Sequence, residues 1–459
     1  MKTPRSEFEM MRVELDKHFA LEVAQRAVAR GADASEVIIR HRTEFSVGVR
    51  LGDVETLKES TDRGLGLRVL IEGKQASVSG SDLRPDAIST LISEAISMAR
   101  VTSPDDTAGL PCAADLATEF PSLDLFDPCI ERLSTEEKIE LALRAEQAAK
   151  DASPLIVNFD GGGFSCGWGT EVFANSLGFA GQYRGTSCSL ATVPVASDGA
   201  RMQRDYWYDV RRSLADLESP EEIGAKAAHR TIRKLGARAI HTQQVPIVFE
   251  SHVARELLGD IFGAVSGESI FRKSSFLVGR LGEKIASPRL SVIDDGLMAG
   301  KLGSRPFDSE GLPTRRTVVI KEGVLESYLL NTYTGRKLGM KSTGNASRGL
   351  TGPPSVEAGN FYIESGGYSP EEIIGSVSKG FYVTELIGFG VNIVTGDYSR
   401  SASGMWIEQG ELAYPVQGVT IAGNLKEMLQ NVEMVGNDLD FRGSVVSPAL
   451  LIGQMTVSA

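Results

Sequence analysis

A hydrolytic metal centre is assembled from His, Cys, Asp and Glu at fixed spacings, so these side chains come first. The chain carries five histidines, His18, His41, His229, His241 and His252, and four cysteines, Cys112, Cys129, Cys166 and Cys188. No two histidines stand at the i, i+4 spacing of a zinc-binding helix, and no cysteines form a CxxC pair. His252 and Glu256 share the helical spacing, but one pair gives two ligands where a catalytic zinc takes about three. The ordinary reading is an i, i+4 contact on the surface of a helix. The four cysteines read as reduced structural thiols rather than a disulfide frame.

A nucleophile is the next possibility. Gly163-Phe164-Ser165-Cys166-Gly167 matches GxSxG. A nucleophile elbow needs a strand before the serine and a helix after it, whereas the text continues as WGTEVFANS and more strand. With 49 glycines in the chain, chance matches are expected. Neither Ser165 nor any carboxylate can be joined to a base to make an independent hydrolase. There is no GxxxxGK[ST], and the GLGL at Gly64 to Leu67 has no helix after it, so nucleotide binding is not predicted. Arg201, Arg204, Arg211 and Arg212 accompany Tyr206, Trp207 and Tyr208, but Asp205 and Asp209 interleave, and alternating strand faces explain that pattern better than a nucleic-acid surface.

The elements that would position these residues follow from periodicity. Apolar residues recur at helical spacing from Leu15 to Arg30 and stop at Gly31. From Ala34 to Ser81 short alternating stretches punctuated by Gly and Asp predict an antiparallel meander, and a helix over 86–100 closes the unit. Residues 101–133, rich in Pro, Asp, Thr and Ser, read as a linker over the surface. Ser134 and Glu137 form a capping-box pattern opening a helix to about Ala152. Four strand-like stretches over 155–211 and a helix from Pro220 to Leu235 follow. A strand Val245 to Phe249, a helix from Ser251 to about Ala264, many Gly-punctuated strands and a short helix over 424–430 complete the chain. The predicted class is α+β: two smaller helix-plus-antiparallel-meander domains, 1–105 and 106–238, then a larger β-rich C-terminal domain, 239–459.

Composition narrows the function. With 42% hydrophobic and 24% charged residues the chain can bury several cores. The net charge of -12 argues against nucleic-acid partners. No apolar run approaches the roughly 18 to 20 residues of a membrane span, and residues 1–20 lack the apolar core of a signal peptide. A cytoplasmic location without membrane contact is expected.

Several runs resemble one family: Ser266 to Leu277 (SGESIFRKSSFL), Ser304 to Arg316 (SRPFDSEGLPTRR), Leu330 to Ala346, Thr395 to Val416 and Ile421 to Leu429, with Gly64 to Asp82 near the N-terminus. In residues, order and spacing they resemble the TldE/PmbA branch of the TldD/TldE family. The resemblance implies a TldD-type partner subunit whose HExxxH helix and later Cys hold zinc, with its Glu as general base toward metal-bound water, and action on small, unfolded or ribosomally made peptides. Counted from the strand Val245 to Phe249, the HExxxH window falls where Gly259 and Ala264 stand for the imidazoles and Asp260 for the Glu. No histidine follows His252 and no cysteine follows Cys188.

By that resemblance this chain has no catalytic residue and no metal, the zinc belongs to the partner, and its own part is to shape a chamber and hold peptide. Gly396, Asp397, Tyr398, Ser399 and Arg400 are the candidate wall, where small residues let another backbone approach for strand addition. Arg272, Lys273, Arg305 and Asp308 are placed near a subunit contact or cavity rim. The alternative is a peptide- or protein-binding regulatory homodimer of the gyrase-modulator kind, and a homodimer of the isolated chain is compatible with either reading.

Overall fold

The structure, a computed structural model, describes residues 16–458. Leu15 and most of the segment read for a signal peptide lie outside that range. In chain order the first elements are α1 (Lys17–Ala29), β1 (Ala34–Arg50), β2 (Asp53–Ile71), β3 (Lys74–Gly80), α2 (Pro85–Val101), α3 (Pro128–Arg132), α4 (Thr135–Asp151), β4 (Ile156–Asn175), β5 (Ala180–Ser197), β6 (Met202–Arg204), β7 (Trp207–Arg211) and α5 (Pro220–Ile232). The capping box at Ser134 and Glu137 forms as its spacing predicts, and Ser219 with Glu222 makes a second one for α5.

The two helix-and-meander units are fused through one sheet in the order β3-β2-β1-β4-β5-β6, with β7 also on β5. β1 and β4 run antiparallel from Glu36 opposite Asn175 to Gly48 opposite Gly163. Alternation decides which face is covered. Val37 and Ile39 of β1 pack under α1 and α2, while Phe45, Val47 and Val49 on the same face pack under α4. Each such side chain contributes about 1.5–3 kcal/mol by leaving water. The opposite face turns toward the C-terminal domain. The stretch 101–133 does not simply wrap over the surface: it buries Leu110, Ala117, Leu123 and Leu125, and Ala117 N–H donates to Gly311 O at 2.9 Å. Those four apolar residues are spaced without periodicity, which is why the segment looks like plain linker in the sequence.

The C-terminal domain continues with β8 (Gln243–Phe249), α6 (Ser251–Val265), α7 (Gly267–Phe271), β9 (Val292–Asp295), β10 (Arg316–Lys321), β11 (Val324–Leu325), α8 (Thr332–Leu338), β12 (Ala346–Ser347), β13 (Ser355–Val356), β14 (Asn360–Ile363), α9 (Pro370–Gly375), β15 (Lys379–Ile387), β16 (Asp397–Glu408), β17 (Glu411–Asn424), α10 (Leu425–Gln430), β18 (Val432–Val435), β19 (Val445–Val446) and β20 (Leu450–Ser458). Its main sheet runs β17-β16-β15-β8-β20-β18, and β17 also pairs with β20, so the sheet curls back on itself. A second sheet runs β11-β10-β9-β14-β19. Val253, Leu257, Leu258, Ile261 and Ala264 of α6 share one core with strands of both sheets, which fixes that helix in place. Among the described residues no helix is long and apolar enough to cross a membrane.

Phe307 of the C-terminal domain inserts among Phe120, Phe179 and Tyr183, with ring centroids 5.2–5.4 Å apart. Beside it Glu36 of β1 is wholly buried between Arg68, 3.0 Å away, and Arg348 from the loop after β12. This contact corrects the expected roles of two residues. Asp308 is 1% exposed and accepts main-chain N–H groups from Glu310, Leu312 and Ala346 at 2.9–3.0 Å, so it folds its own loop and cannot form a rim. Arg305 is likewise largely buried, whereas Arg272 and Lys273 are exposed.

Candidate functional site

The exposed side of α6 meets one face of β16. Glu256 and Asp260, one helical turn apart, point to Tyr398 and Arg400, which alternate onto the same side of the strand. The Arg400 guanidinium lies 2.6 Å from Glu256 Oε2. Burial pushes the Asp260 pKa up to about 6, Glu256 adds to the rise, and Arg400 opposes it. Burial also raises the Tyr398 phenol. Asp260 Oδ2, Tyr398 OH and Arg400 Nε are all buried without a hydrogen-bond partner, an arrangement native proteins keep rare because each such group loses its water without replacement.

The five wall residues do not act together. Tyr398 and Arg400 face α6, whereas Asp397 and Ser399 are exposed on the other side. Gly396 has φ +92°, and a Cβ there would meet Asn424 Oδ1 at 2.7 Å, so this glycine serves a tight turn. Both edges of the strand are already in use at these residues. Asp397 to Arg400 pair with β17, and on the other side Ser399 N–H donates to Gly390 O at 2.7 Å while Asn392 N–H donates to Asp397 O at 2.9 Å. No edge remains there for an added strand.

A zinc site on α6 would need donor side chains facing one point. Gly259 offers none, and a Cβ built on it meets nothing within 4 Å. Ala264 is fully buried in the core. Asp260 and Glu256 provide carboxylates, but the permanently charged guanidinium of Arg400 already sits against them, where a divalent cation would be repelled. Among the described residues no three His, Cys, Asp or Glu side chains come together to hold a metal ion. These residues do not fit zinc.

The polar partners of His252 and Glu256 are not one another: Glu256 pairs with Arg400, and His252 turns to α5. His252 is 10% exposed, its Nε2 lies 3.1 Å from Arg230 Nη2, and its Nδ1 is 3.0 Å from Glu250 Oε2. Burial works against the charge on Glu250, yet Arg230, His252 and Arg233 hold its carboxyl well below the usual range. This network ties α5 to the start of α6, beside a cavity of about 200 Å³ lined by Trp207, Tyr208, His252, Arg255 and Arg442. The other histidines are exposed on separate segments.

Ser165 lies within β4, its Oγ 2.8 Å from Ser189 Oγ, without a base or an elbow. Cys166 and Cys188 face each other across β4 and β5 as free buried thiols, burial pushing Cys188 up to about 12. Of the arginine cluster, Arg204 pairs with Asp160, Arg211 with Asp209 and Asp440, and Arg212 reaches main-chain oxygens of the C-terminal domain. The bonds of Arg211 to Asp440 and of Arg212 to Lys301 and Leu302 are domain contacts. Sequence reasoning missed the Glu256–Arg400 pair, because the only local signal is two acids one turn apart and their partner comes from a distant strand.

Comparison with known proteins adds family context. Residues 35–99, 129–235 and 242–459 match, in order, models described as PmbA/TldA metallopeptidase domain 1, central domain and C-terminal domain. The metalloprotease PmbA of Escherichia coli O157:H7 is 40% identical over 439 residues, covering 96% of this chain and 95% of that one. A Bacteroides thetaiotaomicron structure described as a candidate modulator of DNA gyrase superposes with TM-score 0.90 at 27% identity, covering 98% of this chain and all of the other. TldE from Thermococcus kodakarensis shares the fold, with TM-score 0.87 at 23% identity over 96% of this chain and 100% of that one.

Proposed function

The chain belongs to the PmbA/TldD metallopeptidase family, and from that membership we propose that it is the subunit of a two-chain zinc peptidase that holds no metal itself. A TldD-type partner supplies the zinc, which lowers the pKa of bound water and polarises the scissile carbonyl. This chain shapes the shared chamber and binds short or unfolded peptides, in the cytoplasm. The observation that carries the reading is the donor set on α6: glycine and alanine at the imidazole positions, and Arg400 as a resident cation against Glu256. A second feature supports a partner. The end of β15 and the segment joining it to β16 expose Ile387, Val394 and, at 102%, Phe389, and Ile393 O in that segment accepts from Phe276 N–H at 2.8 Å.

The test is hydrolysis of an unstructured peptide by the purified chain, with zinc, alone and mixed with a TldD-type subunit. Activity only in the mixture, abolished by a chelator, is expected, and Phe389→Asp should weaken co-elution of the two chains. Chelator-sensitive hydrolysis by this chain alone would overturn the reading. A stable homodimer that binds peptide but never joins the zinc subunit would instead favour the regulatory alternative.

A further inference from the structure

The face of the long sheet turned away from its helices continues past the C-terminal domain as an open trough. Register places Gly169 between Arg42 and Gly185, and Gly167 between Glu44 and Ser187, so the floor is nearly bare of side chains. Two adjoining cavities of about 320 and 510 Å³ share Arg42, Gly167 and Ser187. Both fall within the roughly 300–1,000 Å³ typical of ligand sites.

A floor of small residues alone is only a surface; the wall points to a ligand. Arg40, Arg42, Arg212 and Arg348 line the larger cavity with Glu171 and Glu357; Arg40 pairs with Glu171 at 2.8 Å and Arg42 with Glu44 at 2.7 Å, which leaves Arg212 and Arg348 to account for. Arg212 has no carboxylate partner among the described residues and spends its N–H groups on the main-chain oxygens of Thr186, Lys301 and Leu302 at 2.7–3.3 Å. Arg348 has a side chain with 0% exposure, yet its Nη2 has no hydrogen-bond partner among the described residues, and it shares the one carboxylate of Glu36 with Arg68. Two guanidiniums to one carboxylate leave a positive charge uncompensated at the cavity wall.

We infer that this trough binds the C-terminal carboxylate of an extended peptide, with the arginine wall receiving the charge and the glycine floor admitting the main chain. A guanidinium fork matches a planar carboxylate, and a floor without side chains lets a backbone lie against the sheet whatever the peptide's sequence. The inference rests on the reading of the chain as a peptide-handling subunit.

The test uses the full chain and a fluorescein-labelled glycine-serine hexapeptide, as the free acid and as the C-terminal amide, followed by anisotropy. The acid should bind about tenfold more tightly than the amide, and Arg42→Glu should erase that difference. Ser187→Trp should abolish binding by filling the floor. Arg42 and its partner Glu44 have side chains 61% and 56% exposed, so thermal unfolding should confirm an intact fold. Equal binding of acid and amide, or binding unmoved by both substitutions, would overturn the assignment. So would displacement of the acid by inorganic phosphate at concentrations where acetate has no effect, which would mark a phosphate site instead. If the mixture with a TldD-type subunit hydrolyses peptide while acid and amide bind alike, the trough assignment fails and the subunit reading stands; acid-selective binding without activity in the mixture gives the reverse.

Discussion

Two of the places where the molecule buries acids are built differently. In the loop after Arg305, the Asp308 carboxylate takes three main-chain N–H groups, and Glu310 accepts Thr332 N–H at 2.8 Å. Along α6, Asp260 has an oxygen buried with no hydrogen-bond partner among the described residues, and the charges acting on it are Arg400, from β16, and Glu256, one turn back on the same helix. The first acids are consumed by folding. The second leaves a surface with a buried polar atom that no described residue satisfies.

The largest effect that would sharpen this contrast lies at the domain contact. Glu36→Ala removes the one carboxylate between Arg68 and Arg348 and leaves two buried guanidiniums, which should lower stability by about 3–5 kcal/mol in chemical denaturation. A loss near the size of a surface pair would break the contrast. Next comes Glu310, whose carboxyl is pushed up to about 8 by burial and by Asp308. A carboxyl whose folded pKa exceeds its unfolded value favours the folded state while protonated. Its contribution is therefore complete below the unfolded pKa of about 4.5 and lost as pH rises through about 8. The melting temperature should fall between pH 6 and pH 9, and Glu310→Gln should flatten that slope. At the other region Arg400→Met should cost less, about 1–2 kcal/mol, because Glu256 is one-third exposed and can turn to water.

The sequence carries the first kind of region better than the second. Alternation in β1 and β4, the capping box at Ser134 and the helix over 251–264 are local patterns, and the structure realises them. The domain contact was half legible: SRPFDSEG stands out as a run, but nothing local says that Asp308 faces inward. The fusion of two meanders into one sheet was hidden, since pairing of Glu36 with Asn175 is a long-range event with no signal at either position. The same holds for the site. Missing histidines at 259 and 264 can be read directly, whereas the cation that stands against the remaining acids arrives from β16, and no spacing rule connects Glu256 with Arg400.

The smallest expected effect decides whether Asp260 belongs with the consumed acids or with the unfinished surface. Its pKa lies near 6 against 3.8 in an unfolded chain, mainly because of burial. Ionisation is therefore disfavoured in the folded state: the stability tied to the protonated group is full below pH 3.8 and lost as pH rises through about 6. Asp260→Asn removes that penalty, so the variant should melt slightly higher than the parent at pH 8 and at the same temperature at pH 4. If the substitution lowers the melting point at pH 8, the attraction of Arg400 outweighs burial, and Asp260 is a structural partner like Asp308. If it raises the melting point yet impairs peptide hydrolysis in the mixed complex, the folded chain tolerates an unfavourable carboxylate that the assembled peptidase uses.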